Sequence, residues 1–160
     1  MLNHAAVGDH AGVARLDINE AHIADHRVGI DGKSSWAGRT GTRSEVVPLL
    51  TLDDYFENTL AREPVSFIKI DVQGHELKVL KGARKLLSAN PAAAIALEYD
   101  PVRLREVGDS PESLLAYLST QGMKLYECSG ELRPITSPMQ LDQLTSSKDY
   151  CDLLCSRRTF

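Results

Sequence analysis

Val65-Ser66-Phe67-Ile68-Lys69-Ile70-Asp71-Val72, then Gln73-Gly74-His75, then Glu76-Leu77-Lys78-Val79-Leu80-Lys81-Gly82-Ala83-Arg84-Lys85-Leu86-Leu87, is the stretch on which the fold turns. Its first eight residues are dense in β-formers and read as a buried strand over 65–72. Gly74 breaks the run. From Glu76 the spacing becomes helical, with Leu77, Leu80, Ala83 and Leu87 on one inner face. Gly82 in the middle of that helix costs about 1 kcal/mol relative to Ala, which points to close packing on a sheet. Asn90-Pro91 stops the helix, and Ala93-Ala94-Ile95-Ala96-Leu97-Glu98-Tyr99 reads as a second buried strand. Strand, helix and strand over this length form a right-handed βαβ unit with parallel strands.

Upstream, Thr51-Leu52-Asp53-Asp54 is a helix-capping pattern, and Leu52, Phe56 and Leu60 make one apolar stripe of a short helix. Glu45–Leu50 reads as a strand, placed on an edge by Pro48. Residues 19–44, polar and rich in glycine, read as a long loop around Trp36, which would act as a lid, a stacking platform or a loop anchor. Val13–Ile18 alternates as a half-exposed strand, and Gly8 to Gly12 is a turn. Downstream, Ser110 caps a helix from Pro111 to about Thr120, ended by Gly122. Met123–Cys128 alternates as a strand, residues 129–148 read as a polar connection, and Asp149–Cys155 is a last strand.

The bulk numbers suit one domain of a soluble globular protein: 160 residues, 42% hydrophobic, 25% charged. A net charge of −4 leaves no basic excess to neutralise phosphates, so no nucleic-acid partner is expected. Cys128, Cys151 and Cys155 lack the tight pairs of a zinc site and make no disulfide framework. No metal is expected, and the thiols suit a reducing, cytoplasmic compartment. No stretch approaches a membrane span, so no membrane partner is expected.

In open α/β sheets, ligands sit beyond the carboxyl ends of parallel strands. Asp71 and Glu98 end the two strands of the βαβ unit. Adjacent strands place their backbones about 5 Å apart there. Phe67, Lys69 and Asp71 share one face, so Lys69 should pair with Asp71 or Glu98. Such a set can do general-base work, bind a sugar hydroxyl or hold a cation. Equally, Asp71 could serve only to cap the following helix, with Lys69 balancing its charge. His75, at the opening of that helix, could exchange protons near neutral pH or be a plain surface histidine.

The run Phe67 to Glu76 with Val79-Leu80-Lys81-Gly82-Ala83 resembles the signature block of the FkbM-type methyltransferases. Three flanking segments agree in order and spacing: Asn3 to Asp9 with Gly12, Thr51 to Tyr55, and Ile95 to Glu98. The resemblance implies a Rossmann-like class I methyltransferase sheet, mostly parallel with an antiparallel last strand. It implies S-adenosylmethionine as donor and a hydroxyl of a sugar, glycan or small-molecule scaffold as acceptor. Asp71, His75 and Glu98 are the expected catalytic residues, with Asp71 the first choice of base, His75 the second, and Glu98 on the acceptor side. Asn3, Gly8, Asp9 and Asp71 are the expected cofactor contacts. Gln73 stands where members of the family often carry an acid, which weakens a metal role there.

The family opens with a strand and a glycine-rich cofactor loop, and neither is found ahead of residue 9. The expectation is therefore a single, N-terminally truncated domain over 1–160, impaired in methyl transfer on its own. Strand 65–72 would then carry an open edge that invites self-association. The alternative is a non-catalytic interaction protein that retains the half-sheet. A nucleotide-sugar or dinucleotide enzyme on a similar sheet is disfavoured because no G-x-G-x-x-G follows a strand in this sequence.

Overall fold

The structure, a computed structural model, describes residues 2–20, 26–29 and 42–160. β1 (Ala6–Val7), β2 (Gly12–Asn19), β3 (Arg27–Val28) and β4 (Thr42–Leu50) form a four-stranded sheet in the order β1-β4-β2-β3. α1 (Leu52–Asn58) leads into β5 (Phe67–Ile70), which is followed by α2 (Glu76–Lys81), α3 (Arg84–Ala89) and β6 (Ala94–Tyr99). α4 (Pro101–Glu106) and α5 (Pro111–Thr120) come next, then β7 (Lys124–Glu127), β8 (Arg133–Ile135), α6 (Pro138–Lys148) and β9 (Cys151–Ser156). The second sheet is five-stranded, in the order β5-β6-β9-β7-β8.

The expected mostly parallel single sheet is corrected on both counts. Among the described residues there are two sheets, and only β1–β4 and β5–β6 pair in parallel. The first sheet is mixed because β2 and β4 form a long antiparallel ladder from Gly12↔Leu49 to Asn19↔Thr42. In the second sheet β9 enters between β6 and β7, antiparallel to both, as expected of the last strand.

The βαβ unit holds, with a shorter first strand and a divided helix. The expected helix over 76–87 stops at Gly82 and restarts at Arg84. The cause is tertiary. A Cβ on Gly82 would lie 2.0 Å from the Gly8 carbonyl oxygen, so the backbone after β1 presses directly on the helix. The Gly82 carbonyl accepts the Asp53 amide at 2.8 Å, and Asp53 Oδ1 accepts the Leu86 amide at 2.9 Å. α1 thus supplies the cap that α3 lacks, and these contacts tie the small sheet to the helices of the larger one.

Pro48 does not mark an edge, since β4 lies between β1 and β2. Gly8 N–H donates to Leu50 C=O, so the backbone of Pro48, two residues earlier, also faces the β1 side. β1 begins only at Ala6, opposite Leu49, and asks for no donor at Pro48. The long loop expected over 19–44 begins and ends in strand, since Asn19 closes β2, Arg27–Val28 is β3 and Thr42 opens β4. Trp36 lies outside the described residues. The connection expected over 129–148 contains β8 and α6, and α6 starts with a capping box between Ser137 and Gln140.

The main core gathers Ile70, Leu77, Leu80, Leu87, Ile95, Leu97, Leu114 and Leu153 between the five-stranded sheet and its helices. A smaller cluster of Ala6, Ala14, Val47 and Leu49 serves the first sheet. Cys151 and Cys155 are buried, and burial pushes the Cys151 thiol up to about 12. Among the described residues no helix is long and apolar enough to cross a membrane.

Candidate active site

Asp71 follows the last residue of β5, and the register Ile70↔Leu97 places it opposite Glu98 of β6. The two acids therefore stand side by side at the carboxyl end of the parallel pair. Gln73 joins them: its Nε2 lies 3.2 Å from Asp71 Oδ1 and 3.3 Å from Glu98 Oε1. Lys69 Nζ holds the other Asp71 oxygen at 3.2 Å. The result is a row, Lys69–Asp71–Gln73–Glu98, along the mouth of the strands.

The turn that presents this row is tightly specified. Gln73 has φ +54° and Gly74 φ +103°. Only glycine fits at 74, because a Cβ there would meet the Arg103 carbonyl oxygen at 2.5 Å. Glu76 folds back on the turn, and its Oε1 accepts the Gly74 amide at 3.1 Å. Glu76 is 2% exposed, and its Oε2 accepts no hydrogen bond among the described residues. Burial pushes its carboxyl up, against the pull of nearby backbone amides.

Glu98 is pushed up to about 7, first by burial and then by the charges of Asp71 and Glu76, with Lys69 pulling the other way and Asp152 adding to the rise. Glu98 can therefore exchange its proton near neutral pH. A half-exposed carboxylate beside a carboxyl that titrates near neutrality can accept a proton from a substrate hydroxyl and orient it.

Asp9 and His75 belong to a different place. With Gly8, His10, Arg15, Val28 and Lys78 they line a cavity of about 440 Å³ between the first sheet and α2. Burial is the largest influence and opposes the Asp9 charge, but the His10 ring 2.7 Å from Oδ1, the backbone amide of Asp9 and Lys78 together outweigh it and lower the carboxyl. His75 is buried, at 6% exposure. Val28 C=O can only accept and the Lys78 ammonium can only donate, so His75 carries its proton on Nε2 toward Val28 at 3.3 Å and accepts from Lys78 at Nδ1 at 3.3 Å. Burial, then Lys78, pushes its pKa down, so the ring is neutral at neutral pH.

Asn3 lies in neither place, and its side chain donates to the Tyr55 hydroxyl at 2.9 Å beside a separate cavity of about 230 Å³. Of the residues singled out from sequence, the structure brings together Asp71 and Glu98, and separately Gly8, Asp9 and His75. The bridging role of Gln73 was not foreseen. Its signal was a non-glycine residue beside a glycine at the end of a strand, a place where the backbone must turn sharply. Among the described residues no group of three or more His, Cys, Asp or Glu side chains suits a metal ion.

No curated protein and no solved structure matches the chain. The family model described as the methyltransferase FkbM domain matches residues 1–125, which take in the first sheet, β5, β6, the turn between β5 and α2, and the acid row. With more than three quarters of its length under that match, the chain belongs to the FkbM methyltransferase domain family.

Proposed function

We propose that the chain transfers a methyl group from S-adenosylmethionine to a hydroxyl of a sugar or small-molecule scaffold, and that transfer by this chain alone is weak. The observation that carries this reading is the Asp71–Gln73–Glu98 row at the mouth of the parallel pair, in a member of a methyltransferase family. The residues fit the donor in kind. Asp71 and Glu98 stand at the mouth of the strands against one lysine, Lys69, which suits a cationic sulfonium, and the Asp9 cavity of about 440 Å³ is large enough for a nucleoside. Bound S-adenosylmethionine supplies an electrophilic methyl group.

Gly8 and Asp9 would hold the adenosine side, and Asp71 would lie by the methyl. Asp71 takes the proton of the attacking hydroxyl, and Glu98 orients the acceptor by a hydrogen bond. His75 would have to break its bond to Val28 or Lys78 to move a proton, so it shapes the Asp9 cavity. Weak transfer follows from the lining of that cavity, which includes neither Asp71 nor Glu98. The two halves of the site are not joined in one enclosure, so alignment of acceptor and methyl is poor.

Transfer of labelled methyl to a panel of sugars and hydroxylated scaffolds tests the reading. The wild type should give slow transfer, and Asp71→Asn should lower it by about 100-fold, the usual weight of a general base. The reading fails if Asp71→Asn matches the wild type, or if the wild type transfers to no acceptor.

One observation favours a second, non-catalytic reading. Ala94 N–H donates to Ser66 C=O, so Ile68 and Ile70 direct their backbone groups to β6 while Phe67 and Lys69 direct theirs to the opposite edge. Among the described residues no strand covers that edge, and Phe67 beside it is 55% exposed. Such an edge is a template for a second copy of the chain. Light scattering showing a monodisperse dimer that Phe67→Glu dissociates supports this reading, and a monomer at all concentrations removes it.

A further inference from the structure

We infer that Gln73 is a positioning residue whose side-chain amide ties Asp71 and Glu98 into one row and governs how the two carboxyls share a proton. The purpose of that row rests on the methyl-transfer reading, while its geometry does not.

An amide nitrogen carries two N–H groups, and Gln73 directs one to each acid, at 3.2 and 3.3 Å. The orientation is fixed by chemistry, because the amide oxygen in that position would oppose the Asp71 carboxylate, whose other oxygen is paired with Lys69. The backbone supports the same conclusion. Gln73 sits at φ +54°, a conformation that favours glycine, yet a long polar side chain stands there. From that conformation the side chain bridges two strands.

The charges around Glu98 make the bridge consequential. Asp71 and Lys69 face it from β5 and its end, Glu76 from α2, and Asp152 from the register position opposite on β9. Three acids against one lysine leave a surplus of negative charge. Lys69 neutralises part of it at the far oxygen of Asp71. The Glu98 carboxyl therefore keeps its proton up to about neutral pH, beside an Asp71 that is ion-paired to Lys69. Gln73 offers a donor to both acids without adding a charge of its own. A carboxylate at position 73 would add a third acid to the row, and an apolar side chain would leave both acids without their shared donor.

The test is a ¹³C carboxyl NMR titration of Glu98 in the full chain, for the wild type, Gln73→Gly, Gln73→Met and Gln73→Glu. Gln73→Gly suits the positive φ and keeps the turn, so it removes the amide without loss of fold. In Gln73→Gly and Gln73→Met the Glu98 midpoint should rise by about one pH unit, a tenfold gain in proton affinity. In Gln73→Glu the titration should spread over two steps shared among the acids. A Glu98 midpoint that stays within a few tenths of a unit of the wild type in both Gln73→Gly and Gln73→Met overturns the inference. The pH profile of methyl transfer should move with the Glu98 midpoint. The titration decides the role of Gln73 even where no transfer is detected, so failure of the enzymatic reading and failure of the bridge give different results.

Discussion

Glu98→Gln should remove a pH dependence from the stability of the chain. The Glu98 carboxyl is raised from its ordinary 4.5 to about 7, by burial first and then by Asp71 and Glu76. The unfolded chain has no such cluster. Between the two values the folded chain binds more protons than the unfolded one, so stability is lost as pH rises from about 4.5 to about 7. A shift of about 2.5 units corresponds at full weight to about 3.4 kcal/mol. Glu98 is only half-buried and water screens its charge, so about 1 kcal/mol is the expected effect. In a chain of this length that is about 2–4 °C in Tm.

The assay is thermal melting of the wild type and Glu98→Gln at about pH 5 and about pH 8, on either side of the shifted titration. Near pH 5 both side chains are mostly neutral and the two proteins should melt within about 1 °C of each other. Near pH 8 the wild type carries the unfavourable charge and Glu98→Gln should melt about 2–4 °C higher. An equal gap at both pH values would show that Glu98 does not feel its neighbours as the geometry requires.

Gly82→Ala should lower Tm by about 4–8 °C, because its Cβ would strike the Gly8 carbonyl and the relief costs about 2 kcal/mol. A melt unchanged to within about 1 °C would mean that the two backbones do not touch. Glu76→Ala should cost about 2 kcal/mol by leaving the Gly74 amide unpaired in the buried turn, whereas Glu76→Gln keeps the acceptor and loses less. Equal melts for the two variants would remove Glu76 from the turn.

Much of the site was legible before any coordinates. The apolar runs ending in Asp71 and Glu98, with a helical spacing between them, dictate a parallel pair, and a parallel pair dictates that the acids stand side by side. The break at Gly82 was not legible, because the apolar stripe runs on through Leu87 and only contact with Gly8 interrupts it. Pro48 misled for a related reason: its missing donor matters only if a strand lies opposite, and β1 is too short to reach it. The starts of α4 and α6 were written as Asp100-Pro101 and Ser137-Pro138, but their weak apolar faces hid the helices behind those caps. The separation of the Asp9 cavity from the Asp71 row depends on how β3 covers His75, and no periodicity records that contact.

The decisive experiment is an NMR titration of the isotope-labelled chain with S-adenosylmethionine up to millimolar concentration. Weak binding should shift the side-chain carboxyl signals of Asp71 and Glu98 and the backbone amides of Gly8 and Asp9 together, along one saturation curve. Signals at these four residues that stay in place while others move, or that none move at all, would contradict a methyl-donor site at the mouth of β5 and β6.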